Sequence, residues 1–276
     1  MGPRFACFVP RATLCLLGAA LICLQSPAEE RGQRFQGKGF DAKLFRATGS
    51  NTQRVMRVDP GGLRITLPPD HSSDVPVGLV FRHRIGGDFT ITMAFQLVKA
   101  DVPAAGGNAG GSIWIKAASP TQDAATFGRM TRPSGKHVVF THQALTPPGK
   151  KRQHRNGPAV DTEAVAGRLR LVRDGDVLTY LFAPGESDTF QTIEQTQFTT
   201  EVIETIRFAV EKAGGTTSVD AHIKAVTVSA DEIGAARPPL ARTNWLYWLA
   251  GGLAVPLILA GILWLRRKER PAVVRA

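Results

Sequence analysis

The segment Asp88-Phe-Thr-Ile-Thr-Met-Ala-Phe-Gln-Leu-Val98 carries the clearest structural signal in this sequence. Large apolar residues stand at every second position, and smaller or more polar residues stand between them. The apolar set is Phe89, Ile91, Met93, Phe95 and Leu97. Successive side chains of a β-strand point to opposite faces, so the segment is predicted to be a strand with one buried face.

The same alternation continues outward from this strand, between residues 34 and 232. Further strands are predicted over 61–68, 78–84, 112–117, 127–130, 137–145, 168–173, 176–182, 190–195, 203–211 and 218–229. Asp174-Gly175 predicts a tight hairpin, because glycine adopts the positive φ that such turns require. Gly214-Gly215 predicts a second hairpin, and residues 200–205 could form a short helical turn instead of a strand. No long amphipathic helix is predicted before residue 245.

Many short strands joined by glycine and proline turns predict an all-β sandwich or jelly roll. Two smaller β domains are the alternative. Residues 102–111 are rich in glycine and predict a flexible loop, and residues 146–157 predict an exposed, strongly basic loop.

Residues 1–28 have the pattern of a secretory signal peptide. Arg4 and Arg11 precede an apolar run over 12–24, and Ser26-Pro27-Ala28 supplies small residues for cleavage after Ala28. An uncleaved anchor is the alternative. The cysteines, Cys7, Cys15 and Cys23, all lie in this segment, so a processed chain has no disulfide.

Residues 245–265 predict a transmembrane helix. These 21 residues contain no charge, and at ~1.5 Å per residue they span about 31 Å, enough for a hydrocarbon core. The basic segment 266–276 follows and predicts a cytoplasmic tail, because positive charge favours that side. Residues 29–233 are then an extracytoplasmic β-sandwich domain, and 234–244 a linker. A buried core helix and a cleaved C-terminal sorting signal are the alternatives.

The overall charge of +11 overstates the charge of the domain. Between Glu29 and Thr243 there are 27 basic and 22 acidic residues, a net of +5. A mildly basic domain gives no reason to expect nucleic-acid binding.

Five segments together resemble the concanavalin A-like (laminin-G-like) jelly-roll domains of an uncharacterised bacterial family of secreted and membrane-anchored proteins. They are Gly-Leu-Arg-Ile-Thr-Leu-Pro, Asp-Phe-Thr-Ile-Thr-Met-Ala-Phe, Gly-Arg-Leu-Arg-Leu-Val-Arg-Asp-Gly-Asp, Ile-Arg-Phe-Ala-Val and Ala-His-Ile-Lys-Ala-Val-Thr-Val. The resemblance covers residues 37–231. It implies two stacked antiparallel sheets, one of them often concave and used to bind glycans or proteins. It also allows a calcium site, because some relatives of this fold bind calcium.

No catalytic or metal motif is evident in the sequence. Glycosidases of this fold carry paired carboxylates on one strand, but Glu201 and Glu204 are three apart and would face opposite ways on a strand. His137 and His142 would also point to opposite faces, and no metal-ligand spacing is present. We expect no cofactor apart from the calcium that the resemblance allows.

The candidate ligand-binding residues are two aromatic side chains and a basic loop. Trp114 faces away from Ile113 and Ile115, and Tyr180 opposes Thr179 and Leu181. Either ring could stack on a sugar if its face is the open one, and packing in the core is the alternative. The basic loop could bind anionic glycans, lipid head groups or an acidic partner through Lys150, Lys151, Arg152 and Arg155.

These observations lead us to expect a membrane-anchored, non-catalytic module of the cell surface that binds carbohydrate or protein. A polysaccharide-cleaving enzyme of the same fold is the first alternative. A structural accessory subunit of an envelope complex is the second.

Overall fold

The computed structural model describes residues 28–37, 39–72, 75–105, 107–212 and 217–234. Within these residues the chain forms fifteen strands and one short helix. The elements are β1 (Glu29–Arg34), β2 (Phe45–Thr48), α1 (Thr52–Val55), β3 (Met56–Asp59), β4 (Gly62–Leu67), β5 (Val77–Phe81), β6 (Ile85–Ala100), β7 (Ala109–Ala117), β8 (Ala124–Thr131), β9 (His137–Leu145), β10 (Gln153–Asp161), β11 (Ala166–Asp174), β12 (Val177–Pro184), β13 (Gln191–Gln197), β14 (Ile203–Lys212) and β15 (Val219–Ile233).

The strands pair antiparallel in two layers. Layer A has the order β2-β5-β14-β7-β8-β9-β10. Layer B has the order β3-β4-β15-β6-β11-β12-β13, and β1 pairs with β15 beyond the end of β4. Ile203 and Ile85 form a register pair where the layers meet. The predicted all-β antiparallel sandwich is confirmed, and the arrangement is consistent with a jelly roll.

The core lies between the layers and is built by the alternation seen in the sequence. Phe89, Ile91, Met93, Phe95 and Leu97 of β6 are at most 5% exposed. Across from them layer A contributes fully buried side chains such as Ile113, Phe127 and Phe208. Each fully buried side chain of this size stabilises the fold by about 1.5–3 kcal/mol, and the buried residues form one continuous cluster.

A buried arginine fastens a loop to the core. Arg173 is 1% exposed, and its guanidinium donates hydrogen bonds to the carbonyl oxygens of Gly87 (3.1 Å), Thr199 (3.1 Å) and Glu201 (2.7 Å). It also lies 4.7 Å from the centre of the Phe89 ring. These contacts tie the segment before β14 to β6, so β14 enters layer A at a fixed position.

Three local predictions differ from the structure. Residues 153–157, predicted within the basic loop 146–157, belong to β10, whose side chains are almost all exposed. The glycine-rich loop ends at Ala109, where β7 begins, and residues 203–205 belong to β14 and not to a helical turn. The hairpin at Asp174-Gly175 is confirmed, with Gly175 at φ 56°. Gly214-Gly215 lies outside the described residues.

The chain ends also lie largely outside the described residues. This applies to residues 1–27 of the predicted signal peptide and to the predicted membrane segment 245–265 with its tail. Those assignments stay predictions. In the described part of the chain, no helix is long and apolar enough to cross a membrane.

Candidate functional site

Layer A presents an outer face that carries polar and aromatic side chains. Ile113 and Ile115 of β7 point inward and are fully buried, so Trp114 between them points outward, where it is half-buried. The register places Trp114 between Arg207 of β14 and Thr126 of β8. We call the outward side chains of β14, β7, β8 and β9 the Trp114 face; its principal members are Arg207, Glu211, Trp114, Thr126 and His142.

Arg207 and Trp114 form the centre of this face. The guanidinium carbon of Arg207 lies 4.6 Å from the centre of the Trp114 ring, a cation–π contact worth about 0.5–2 kcal/mol. The Nε atom of Arg207 is buried and has no hydrogen-bond partner among the described residues. Burial lowers the pKa of Arg207, and the nearby Glu211 charge opposes that effect. The face therefore offers an aromatic ring beside an unsatisfied donor.

Two histidines extend the same face toward its edge. The β9–β10 register brings His154 beside His142, with Nδ1 of His154 3.3 Å from Nε2 of His142. Burial lowers the pKa of His142, and the positive charges of His154 and Arg152 lower it further. His142 is therefore neutral at pH 7, and its ring can donate or accept a hydrogen bond toward a ligand.

Glu211 lies at the other end of the face, beside a small cavity. This cavity of about 130 Å³ is lined by His71, Glu211 and Lys212 together with five apolar residues, Leu67, Val75, Pro76, Val77 and Val210. Burial raises the pKa of the Glu211 carboxyl, although the charge of Arg207 partly opposes this. Burial and the Lys212 charge lower the pKa of His71, whose Nε2 atom is buried without a hydrogen-bond partner. A raised carboxyl pKa and a lowered imidazole pKa at one cavity are typical of acid–base sites.

Paired carboxylates are not a feature of this face. The outward positions of β8 hold Ala124, Thr126, Gly128 and Met130. On β14, Glu204 forms an ion pair with Lys116 at 2.8 Å, and Glu211 lies seven residues further along. At ~3.3 Å per residue, the backbone positions of these two glutamates are roughly 20 Å apart, well beyond the ~5–9.5 Å of glycosidase carboxyl pairs. Any acid chemistry here rests on Glu211 alone among the carboxylates.

The structure places the residues predicted to bind ligand in very different environments. Trp114 lies on the open face, as its position in β7 indicated. Tyr180 is fully buried with its ring edge-on to Phe127 at 5.5 Å, so the interpretation of Tyr180 as a sugar platform is wrong. Burial also raises the pKa of its hydroxyl. The inward set of β12 is Leu178, Tyr180 and Phe182.

Two of the four basic residues predicted to bind ligand over 150–155 make structural contacts within the domain. Arg155 is paired with Glu194 at 2.7 Å and donates to Gln143 at 2.9 Å, so it ties β10 to β13 across the edge of the sandwich. Arg152 donates to the carbonyl oxygens of Thr121 and Gln122, both at 2.9 Å, and so holds the neighbouring turn. Two further members, Lys150 and Lys151, are exposed.

Sequence reasoning missed Arg207, Glu211 and the histidine pair. The signal for the first two was present, because Arg207 and Glu211 alternate with the buried Ile206, Phe208 and Val210. The histidine pair depends on the β9–β10 register and is not visible along the chain. The described residues contain no group of three or more histidine, cysteine, aspartate or glutamate side chains that could hold a metal ion.

The chain shares its all-β antiparallel sandwich fold with solved structures of other proteins. It is similar to LamAcat from Zobellia galactanivorans, at 12% identity over 72% of this chain and 96% of that one, with a TM-score of 0.51. It is similar to an immunostimulatory antigen and pseudo β-1,3-glucanase of Mycobacterium tuberculosis, at 8% identity, 72% and 98% coverage and a TM-score of 0.50. An endo-acting O-glycanase of the human gut microbiota matches at 10% identity, 72% and 98% coverage and a TM-score of 0.51.

The family itself is given by a match over most of the chain. The chain belongs to the family described as "Protein of unknown function (DUF1583) C domain", whose model matches residues 26–246. No curated protein matches the sequence. Membership in an uncharacterised family agrees with the resemblance drawn from the sequence.

The comparisons correct the expected function. We expected a non-catalytic surface module, but the solved structures that share this fold include one described as an endo-acting O-glycanase and one described as a pseudo β-1,3-glucanase. They contradict both the adhesion-module prediction and the prediction that the protein is not an enzyme. They favour the alternative, a polysaccharide-cleaving enzyme. At these identities the likeness itself establishes the fold.

Proposed function

We propose that the protein is a polysaccharide-cleaving enzyme that binds a glycan chain across the Trp114 face and uses Glu211 as its proton donor. The observation that carries the proposal is the placement of Glu211. This carboxyl has a pKa raised by burial, lines a cavity, and shares a strand face with the Arg207–Trp114 pair. The fold's likeness to an endo-acting O-glycanase supports the choice of substrate class.

The Trp114 face supplies the contacts that a sugar ring requires. An indole ring can pack against the apolar side of a pyranose while polar groups around it bind the hydroxyls. Here those groups are the half-buried side chain of Arg207, the Thr126 hydroxyl and the neutral His142 ring. A chain lying along β14 would pass from this platform to Glu211.

The chemistry requires one proton donor and one acceptor. Protonated Glu211 gives its proton to the glycosidic oxygen as the bond from the anomeric carbon to that oxygen breaks. Water adds to the anomeric carbon, and its proton passes to the neutral imidazole ring of His71. Transfer of that proton from His71 to Glu211 restores both groups. The cavity between them has room for a few water molecules at ~30 Å³ each.

Release of reducing ends from polysaccharides tests the proposal. The purified full chain would be incubated with neutral β-1,3-glucans, mixed-linkage β-glucans and mucin, and new reducing ends would be measured over time. We expect release from at least one of them, lost in Glu211→Gln and kept in Glu204→Gln. Saturable binding without any release across the panel would contradict the proposal.

The chain ends suggest where the enzyme would act. With a signal peptide over 1–28 and a membrane segment over 245–265, the domain would act on glycans outside the cytoplasm. Protease digestion of intact cells would remove the domain if this holds, and protection of the domain until lysis would contradict it.

A further inference from the structure

Layer B has a concavity of its own, on the side of the molecule opposite to the Trp114 face. This groove of about 950 Å³ runs over the outer face of β1, β15, β6 and β11. We call it the β6 groove and define it by its floor and one wall. The floor is formed by Thr90, Thr92, Ala94, Thr227 and Ser229, and the wall by Arg168 and Arg170.

The register explains the shape of the groove. Gly32, Thr227, Thr92 and Arg170 form one row across four strands, and Arg34, Ala225, Ala94 and Arg168 form the next. Strands lie ~4.8 Å apart, so each row is roughly 14 Å long. Small residues fill the centre of each row. An arginine stands at one end of the first row and at both ends of the second, which leaves a shallow trough with a hydroxyl-rich floor.

One wall of the trough holds two arginines on a single aromatic ring. The guanidinium carbons of Arg170 and Arg168 lie 3.8 and 5.2 Å from the centre of the Phe190 ring. Arg168 pairs with the exposed Asp188 at 2.7 Å. Arg170 donates from Nε to the Thr92 hydroxyl at 3.0 Å, which fixes the rest of its guanidinium at the edge of the trough.

The wall carries more positive than negative charge. No described carboxylate forms an ion pair with Arg170, and the Nε of Arg168 is buried without a hydrogen-bond partner. Burial, and then the positive charge of Arg168, lower the pKa of Arg170. Across the whole groove Arg34 and Lys224 add two cations, while Glu30 and Glu186 are the acidic lining residues. An anion placed beside Arg170 would relieve this repulsion.

We propose that the β6 groove binds an anionic oligosaccharide, whose acidic group pairs with Arg170 while its hydroxyls contact the threonine and serine floor. A guanidinium binds a carboxylate or a sulfate through parallel hydrogen bonds, and rows of hydroxyls suit a sugar better than an apolar ligand. The site lies on the other layer from Trp114 and does not depend on the cleavage proposed for that face.

Calorimetric titration of the full chain tests this site with three tetrasaccharides. Tetragalacturonate carries carboxylates, a tetrasaccharide of sulfated galactan carries sulfates, and laminaritetraose is neutral. We expect saturable binding of at least one anionic probe, and the two anionic arms show which acidic group the groove prefers. Arg170→Gln should weaken that binding at least tenfold, since it removes charge-assisted hydrogen bonds. Trp114→Ala should leave it within twofold.

Two further variants keep the test interpretable. Ala94→Gln narrows the floor without changing charge and should also weaken binding at least tenfold. Arg57→Gln removes an exposed arginine of the same layer outside the groove lining and should have less than a twofold effect. The proposal is overturned if neither anionic probe binds, if laminaritetraose competes equally for the site, or if Arg170→Gln binds like wild type.

Discussion

Replacement of Glu211 by glutamine should lower the catalytic rate without lowering the stability of the fold. Glutamine keeps the shape of the side chain but cannot donate a carboxyl proton. General acid catalysis contributes about 10²–10⁴-fold to rate, so the loss corresponds to roughly 2.7–5.4 kcal/mol in activation free energy. We therefore expect kcat to fall by at least 100-fold with little change in KM.

The same substitution should make the fold more stable. Burial raises the pKa of Glu211 above its ordinary value of 4.5, so in the folded state ionisation becomes costly as the pH rises. As the pH rises from the pKa of this carboxyl in the unfolded chain to its pKa in the folded chain, the free energy of unfolding of the wild type falls. The loss is about 1.4 kcal/mol for each unit of difference between the two pKa values. Glu211→Gln should match wild type near pH 4 and exceed it at pH 8.

Urea unfolding at the two pH values and initial rates of reducing-end release give both quantities. Glu204→Gln is the matched control, because Glu204 lies on the same strand and its partner Lys116 is 2.8 Å away. That variant should keep its rate within fivefold. If Glu211→Gln retained full activity, or lost activity together with stability at pH 8, the role assigned to Glu211 would be wrong.

Three further substitutions test other parts of the structure. Trp114→Ala should raise KM for a cleaved glycan at least tenfold, about 1.4 kcal/mol, and Trp114→Phe should restore part of it; unchanged KM would remove Trp114 from the substrate site. Arg173→Met should lower the free energy of unfolding in urea by about 3 kcal/mol or more, since it removes the hydrogen bonds that the buried guanidinium donates to three backbone carbonyls; a loss under 1 kcal/mol would contradict that role. Asp220 has a pKa lowered mainly by its hydrogen bond from Arg64. The wild type should therefore be more stable than Asp220→Asn above pH 4 and lose this advantage as the pH falls below it. A difference in the free energy of unfolding that stayed constant from pH 7 to pH 2.5 would refute the linkage.

The central strands could be predicted because their pattern is set by burial. In β6 each large apolar residue faces the core, so period two appears directly in the sequence. The exposed edge strand β10 has no such pattern, because backbone hydrogen bonds to β9 alone define it. A stretch rich in arginine and histidine there is typical of a loop.

The candidate site was only partly predictable for a related reason. Alternation divides a strand into two faces without saying which face is buried. For β7 the apolar neighbours Ile113 and Ile115 showed which face is buried. In β12 an apolar residue, Leu181, also lies on the outer face, so the pattern did not show that Tyr180 is buried. Proximity across strands, as for His142 and His154, depends on register, which the sequence of one strand does not contain.

A crystal structure with a bound glycan tests most directly whether the Trp114 face holds the substrate. Crystals of the full-length Glu211→Gln variant would be soaked with laminaritetraose or with the best glycan from the cleavage panel. We expect a sugar ring packed on Trp114 and a glycosidic oxygen within hydrogen-bond distance of the side chain at position 211. A glycan bound elsewhere, with the Trp114 face unoccupied, would contradict it.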